Sequence, residues 1–585
     1  MAGSYWDKVT AQRVSRRRVL QSAGVAGAAA GAVWIVGCGG GSSSNNSTPG
    51  SGGPGATGTE TAPQEGLHFQ NPTGTPKAGG TYNIATSVDF DTFDPHISIA
   101  GGVAYFPKLY NTVVNRSPVD NSFEFDDMAE KVEQPDETTY IFTTRKGVKI
   151  GPNKLGIPER DMDGSDVKAT FDRIKNLPQS NAYAFVGPNV ASVDAAADGS
   201  TFTIKTPKPY GYFWFRIGGA INCIVPKELI SKADQMKAAS AGAGPFVLNP
   251  GDYTEGQSAL LTKNPSYYRK DDKNNNAALP YVDAIAVKII ADRSALRTAF
   301  QSQQTDQYGA QDVNDNKSLL QSNPNYIVNR DTTNTFIAFT MNPKNDPWKD
   351  DRVRQAAMYA LNRDVYVQRV YSGEAKPNGI VHWSLGDYAL SPDELKTLQP
   401  FDPAKSKQLI KAATGQDTLS IKVMWPADSI IEEHNLHLPI WLSQMADAGF
   451  NIQKDPQAFA TWLDNYTNKK YDSSLALNQV YETAEFEMDF ESVHGPAGSD
   501  IYSNGLGGLF PDIEQGITDS KAITDPTQQA NKVKDVQRMI YAKGPMFLPI
   551  CTPYAFTLYQ PYVHNIPAGI GAGSALYLNT LWLDK

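Results

Sequence analysis

The side chains best suited to chemistry are few and scattered. Glu432, Glu433, His434 and His437 fall close together, and histidines at i and i+3 share one face of a helix. A zinc site would ask for a third ligand and for outer partners that orient the imidazoles. Neither stands nearby in the chain, and a solvated polar helix face is the simpler reading. Glu485 and Glu487 alternate along a strand-like stretch and offer the two carboxylates of a hydrolase, again without a defined partner. Gly569-Ile570-Gly571-Ala572-Gly573 has the glycines of a phosphate loop but no helix after it. No P-loop and no Gly-x-Ser-x-Gly elbow occurs. The chain has seven histidines and three cysteines in 585 residues. That excludes a disulfide framework and a four-cysteine zinc site. No catalytic residues, metal site or cofactor are expected.

One cysteine has a chemistry of its own. Arg16-Arg17-Arg18 precedes the uncharged run Ala23 to Val36, and Ile35-Val36-Gly37-Cys38 follows. A basic segment, a short apolar core and a small residue at the cut make an export signal. The apolar core is 14 residues, short for a hydrocarbon layer of about 30 Å. Arg16 and Arg17 resemble a twin-arginine (Tat) signal, and Ile35 to Cys38 resembles a bacterial lipobox. That resemblance implies cleavage before Cys38, acylation of Cys38, and export of an already folded chain. Two or more acyl chains, at about 0.8 kcal/mol per buried CH₂, hold a protein firmly at a membrane.

Residues Gly39 to Gly79 hold eleven glycines, five prolines, five serines and six threonines in 41 positions. Such a stretch cannot bury enough apolar surface to offset its ordering entropy, and it reads as a flexible tether.

The rest must supply the scaffold. Gly80 to Ala85, Thr139 to Thr144 and Thr201 to Lys205 alternate as strands do. Ser165 is expected to cap a helix with Val167, Phe171, Ile174 and Leu177 inward, stopped by Pro178. Asp402-Pro403 and Asp525-Pro526 are cap and first-turn pairs ahead of apolar-periodic runs, and Asp350 or Asp351 opens another. The helix from Ile430 to Ala448 contains Pro439 and is expected to kink there. Strands and helices alternate throughout, which indicates α/β architecture. Forty percent of residues are apolar, enough for a large core. Whole-chain net charge is −9. The signal segment, Met1 to Gly37, carries five basic residues and one acidic, so the mature chain has a net charge of −13. This acidity argues against a nucleic-acid partner. Cys223 and Cys551 remain after lipidation of Cys38. A disulfide between them and two separate buried thiols both fit the sequence.

An ordered series of segments resembles one family, the family 5 extracellular solute-binding proteins of ABC importers, which includes peptide- and nickel-binding receptors. The series runs Gly79-Gly80-Thr81-Tyr82, Thr92-Phe93-Asp94-Pro95-His96, Leu109 to Val114, Thr139 to Phe142, Arg145 to Lys149, Gly164 to Val167, Gly242 to Phe246, Asn264 to Tyr268, Pro280 to Asp283, Asp351 to Ala356 and Pro545 to Pro549. The resemblance implies a two-lobed, type II periplasmic-binding-protein-like fold with mixed sheets and flanking helices. The first lobe would be 80–335 plus 550–585, with an inserted subdomain at about 110–210, and the second 336–549. Two crossings, near 334–339 and 548–553, would form the hinge. Signal peptide 1–37 and tether 38–79 precede them.

In peptide-binding members a strand after a Tyr-Asp pair carries Trp and then an Asp that meets the peptide amino group. Here Tyr471-Asp472 is followed by Asn478 and Tyr481 at those positions, with Glu482 next door and Leu475 where a carboxylate-receiving base can stand. Phe93, Tyr212, Trp214, Trp383, Asn478, Tyr481 and Glu482 are the expected cleft residues, and core packing is the competing role for each aromatic. The expected function is a lipid-anchored receptor, monomeric and held at the outer face of the cell membrane. It would capture a peptide or peptide-like solute for an ABC permease without chemical conversion. An oligosaccharide is the alternative ligand, since sugars favour aromatic platforms and neutral amides. An exported hydrolase and a non-transport adhesin or sensor are the competing classes.

Overall fold

The computed structural model describes residues 74–98, 105–116, 123–124, 127–178, 180, 182–332, 335–427, 432–479, 508–566 and 578–585. Arg16, Arg17, Cys38, Tyr481, Glu482, Glu485, Glu487 and the glycines of 569–573 lie outside the described residues.

The amino-terminal elements are β1 (Thr81–Thr86), β2 (Ala129–Asp136), β3 (Thr139–Thr144), α1 (Gly164–Lys175), β4 (Ser192–Ala195), β5 (Thr201–Lys205), β6 (Phe246–Val247), β7 (Ser258–Lys263), β8 (Ala284–Ile289), β9 (Gln307–Gly309) and β10 (Ile327–Thr332). Then follow β11 (Thr335–Met341), α2 (Asp351–Tyr359), β12 (Ala375–Pro377), α3 (Pro403–Thr414), β13 (Leu419–Pro426), α4 (Glu432–Asp447), β14 (Phe450–Gln457), β15 (Ser473–Gln479), α5 (Pro511–Ala522), α6 (Pro526–Ala542), β16 (Phe547–Pro549) and β17 (Cys551–Tyr559).

Four larger sheets result. One has the order β1-β8-β7-β6 and a second, wholly antiparallel, β2-β3-β5-β4. The third is β9-β17-β10 with β12 added to the start of β17, and the fourth is β14-β13-β15-β11-β16. The alternation that marked the strands has its physical cause here. Tyr82 and Ile84 of β1, Tyr140 and Phe142 of β3, and Phe202 and Ile204 of β5 are buried while the residues between them are partly exposed. Phe300, Tyr308, Leu319, Tyr326 and Leu558 close the core beside the third sheet.

The third and fourth sheets exchange strands at two adjacent points. β10 gives way to β11 across 333–334, and β16 gives way to β17 across the single residue Ile550, whose N–H donates to the Ile337 carbonyl at 3.0 Å. Both strands that leave one sheet therefore enter the other at the same level.

Helix starts follow local rules with one correction. Asp402, Asp525 and Asp350 each cap their helix through the side chain, and α3 ends at Gly415 in the left-handed conformation (φ 76°). The cap of α1 is Asp163 and not Ser165. Ser165 donates its N–H and hydroxyl to the Asp163 carboxylate, and Asp166 accepts from the Asp163 N–H in return. This reciprocal pair satisfies two first-turn donors where a serine cap satisfies one. Val167, Phe171 and Ile174 face inward as expected, whereas Leu177 lies beyond the helix and is only half-buried. Pro439 lies inside α4.

A buried charge cluster pins the loop after β1. The Arg173 guanidinium grips the Asp94 carboxylate at 2.8 and 2.5 Å, and its Nη1 lies 2.5 Å from His96 Nδ1. An arginine can only donate, so Nδ1 is the acceptor. Nε2 then carries the hydrogen and donates to the Cys223 carbonyl at 2.9 Å. Burial, with the Arg173 charge, lowers the His96 pKa to about 4. Cys223 and Cys551 are separate buried thiols, which settles the choice the sequence left open. Among the described residues, no helix is long and apolar enough to cross a membrane.

Candidate inter-lobe binding site

The strand exchange brings distant side chains onto one face. In the antiparallel register Lys376 stands opposite Thr552, and Arg330 opposite Phe556. Thr552, Tyr554 and Phe556 alternate along β17, so Lys376 and Arg330 share their face of the sheet. After β12 the chain folds back over it. Asn378 donates to Thr552 Oγ1 at 2.5 Å, and His382 Nε2 lies 2.9 Å from the same oxygen. The Ser384 N–H donates to His382 Nδ1 at 3.1 Å. The hydrogen of His382 is therefore on Nε2, and burial holds its pKa near 3. His382 is a neutral, doubly anchored plate.

Trp383 rests on that plate, ring centroids 5.1 Å apart and 28° between planes, and its ring also meets Tyr554 at 5.9 Å. The Lys376 ammonium stands 4.3 Å above the Trp383 ring and 5.8 Å from that of Tyr554, a cation–π arrangement. The Arg330 guanidinium stacks on Tyr554 at 3.5 Å and pairs with Glu374 at 2.7 Å. Lys376 is exposed and makes no ion pair among the described residues. The Trp383 Nε1–H is buried and has no hydrogen-bond partner among the described residues.

From Trp383 the chain runs to Tyr388 through Gly386, whose φ of 58° and ψ of −120° suit only glycine. Tyr388 then reaches the aromatic run at Tyr212 to Phe215. Its ring lies 6.2 Å from Tyr212 and 6.3 Å from Phe215, and its hydroxyl donates to Gln529 at 2.7 Å. Beside it the Gly211 N–H donates to the Lys521 carbonyl at 2.7 Å, and Thr524 contacts Glu137 at 3.3 Å. One short segment thus runs from the strand crossings to the tip of the aromatic run.

The sequence-predicted residues distribute unevenly. Trp383 sits at the crossings, half-buried, and Tyr212 at the opposite end, buried. Asn478 lies on β15 opposite Phe336. Phe93 is packed between Phe90 at 4.8 Å and Tyr253 at 5.3 Å, and Trp214 against Tyr140 and Phe142, so both serve the core of the amino-terminal elements. Leu475 is fully buried. His437 is buried with its Nε2 2.8 Å from the Tyr371 hydroxyl, and among the described residues no three metal-binding side chains converge. Sequence reasoning missed Lys376, Arg330 and Tyr554. The one available signal was the alternation of Thr552 and Tyr554 at the expected crossing near 548–553.

Residues 126–485 match the family described as bacterial extracellular solute-binding proteins, family 5 Middle. A putative ABC transporter peptide-binding protein of Brucella ovis is 28% identical over 468 residues, covering 76% of this chain and 79% of its own. Among solved structures, the periplasmic binding protein DppA of Helicobacter pylori in complex with the peptide STSA superposes with a TM-score of 0.70 at 18% identity, over 87% of this chain and 99% of that one. NikA from Brucella suis in complex with Fe(III)-EDTA gives 0.71 at 20% identity, over 86% and 100%. The fold is accordingly the two-lobed α/β arrangement expected from the sequence. The chain belongs to the bacterial extracellular solute-binding proteins of family 5.

Proposed function

We propose that the protein is an exported, lipid-anchored receptor that captures a peptide-like solute between its lobes and delivers it to an ABC importer. Lobe 1 comprises 80–335 plus 550–585, with an inserted subdomain at about 110–210, and lobe 2 comprises 336–549. The observation that carries this reading is the aromatic and cationic cluster of Trp383, Tyr554 and Lys376 at the two strand crossings. A solute seated there touches elements of both lobes, so its binding energy is fully available only when they are together, and it shifts the population toward that state. Two crossings a residue or two long can absorb the rotation. The named partners of relatives support the ligand class: a peptide for DppA, and peptide binding for the Brucella ovis protein. Cys38 would carry the lipid, and the glycine-rich segment after it would let the receptor body range over the membrane face.

The test is mass spectrometry of small molecules released on denaturing the purified protein, followed by calorimetry with what is found. Short peptides that rebind the emptied protein are the expected result. A neutral oligosaccharide instead would overturn the ligand class. That second reading draws on the Trp383–Tyr554 platform, on which a sugar ring can stack. The unpaired Lys376 charge weighs against it, because a neutral sugar leaves that charge unanswered.

A further inference from the structure

We infer that Tyr388 sets the balance between the open and closed receptor. It is a fixed knob on one lobe, and its ring contacts with the other lobe form only when the two are together. This rests on the receptor reading and on the lobe division proposed with it, and adds the residue that scales the affinity for every solute alike.

The contacts of Tyr388 divide by lobe. Its hydroxyl donates to Gln529 Oε1 at 2.7 Å, and its carbonyl accepts from Gln537 Nε2 at 2.8 Å. Both glutamines stand on α6 and are buried. Gln529 Nε2 in turn donates to the Ser520 carbonyl of α5 at 3.0 Å. These bonds all lie within 336–549. The ring of Tyr388 meets 80–335 instead. It lies 6.2 Å from Tyr212, tilted by 37°, and 6.3 Å from Phe215, edge-on at 82°.

The two sets of contacts weigh differently on closure. The glutamine bonds are the same with the lobes together or apart, so they cancel from the equilibrium between the two states. The aromatic contacts do not cancel, because separation returns the rings to water. They favour the closed state with or without solute. When only one state of a receptor binds, the apparent dissociation constant rises in inverse proportion to the population of that state. A change in that population therefore shifts the affinity for all solutes by one factor. A side chain that meets the solute shifts each affinity by its own amount. That separates Tyr388 from Trp383, which belongs to the cluster at the crossings.

The test pairs a distance with an affinity profile. Spin labels are placed at Lys205→Cys and Lys454→Cys, exposed positions in the two lobes, while Cys223 and Cys551 are buried and stay unlabelled. Label distances are measured by pulsed electron resonance without peptide and with a pooled library of di- to pentapeptides. Capture of the same library, read by mass spectrometry, gives the rank order of affinities. Tyr388→Ala should lengthen the mean distance in the peptide-free protein. It should also weaken capture of every bound peptide by roughly threefold to tenfold, with the rank order unchanged. Phe215→Ala, which leaves both glutamine bonds in place, should do the same from the opposite side. Tyr388→Phe keeps the ring and should keep the distance and the affinities, while the loss of a donor to Gln529 lowers the melting temperature. A rank order altered by Tyr388→Ala shows direct contact with solute and overturns the inference. So do label distances that neither ring deletion moves. If the parent captures no peptide, the peptide reading falls, and the label distances alone decide the role of Tyr388.

Discussion

Gly211 and Lys521 join the segment after β5 to α5 through their backbones, the Gly211 N–H donating to the Lys521 carbonyl at 2.7 Å. A side chain has no room at this contact. A Cβ on Gly211 would fall 1.9 Å from the Ile523 carbonyl oxygen and 2.2 Å from Gln529 Nε2. In the lobe division proposed above, each obstacle belongs to the opposite lobe, and the glycine constrains how the lobes meet rather than how either one folds.

Gly211→Ala should therefore hold the lobes apart. Overpacking of this kind costs about 1–3 kcal/mol, which corresponds to a loss of solute affinity of roughly tenfold or more. Small-angle scattering of the variant with solute present should give a larger radius of gyration than the parent, with an unchanged melting profile for each lobe. Identical radii and affinities would show that the contact takes no part in closure.

Stability should fall with acid in a defined window. His96 and His382 are held neutral in the fold, with pKa values of about 4 and about 3, the first lowered by burial and then by Arg173, the second by burial alone. Unfolded, each titrates near 6.5. The unfolded chain thus takes up protons first. The stabilisation is complete above about pH 6.5 and is lost as pH falls through the folded values, a change of a few kcal/mol per residue. Urea midpoints measured between pH 7 and pH 4 should drop steadily, and His96→Gln should flatten that slope. A slope identical in the variant would refute the assignment for His96.

Asp94→Asn should be among the most damaging single changes in the amino-terminal elements. The Asp94 side chain is 2% exposed and that of Arg173 11%. Removing the carboxylate charge leaves the guanidinium buried without compensation, at a cost of about 3–5 kcal/mol. Chemical denaturation would read this directly. A double change, Asp94→Asn with Arg173→Met, should recover part of the loss, because it removes the stranded charge as well.

Cys38→Ala should release the mature protein from membranes. The expected outcome is recovery in the soluble fraction with solute binding unaltered, since the cluster at the crossings is built from Lys376, Trp383 and Tyr554. Continued sedimentation with membranes would defeat the lipid-anchor proposal.

Some of this architecture was legible because its causes are local. The aspartates before Pro403 and Pro526 cap their helices through the nearest amides, and the strand at Thr139 to Thr144 buries every second side chain. The cap of α1 was misplaced by two residues because Asp163 and Asp166 satisfy each other, a pairing that outcompetes a lone serine. The binding cluster was hidden for a different reason. Asn378 and Thr552 lie 174 positions apart, and what unites Lys376 with Tyr554 is the register of a three-residue strand on the edge of β17. Composition also gives an aromatic ring the same weight in a core as in a cleft, which is why Phe93 and Trp214 were candidates beside Trp383.

The two ends of the described body meet in space. Gly74 lies against the Trp582 ring, Lys77 pairs with Asp584, and the Gly79 N–H donates to the Tyr281 carbonyl at 2.8 Å. Mechanical load applied through the amino-terminal segment consequently enters at this clasp and passes into β1, where six residues lie alongside β8 and resist shear. That path runs through β1 and β8 and bypasses Ile550. With the anchor proposed at Cys38, a pull through the amino-terminal segment would turn the whole body without doing work on its jaws, and capture and release would stay mechanically decoupled from whatever drags at the membrane.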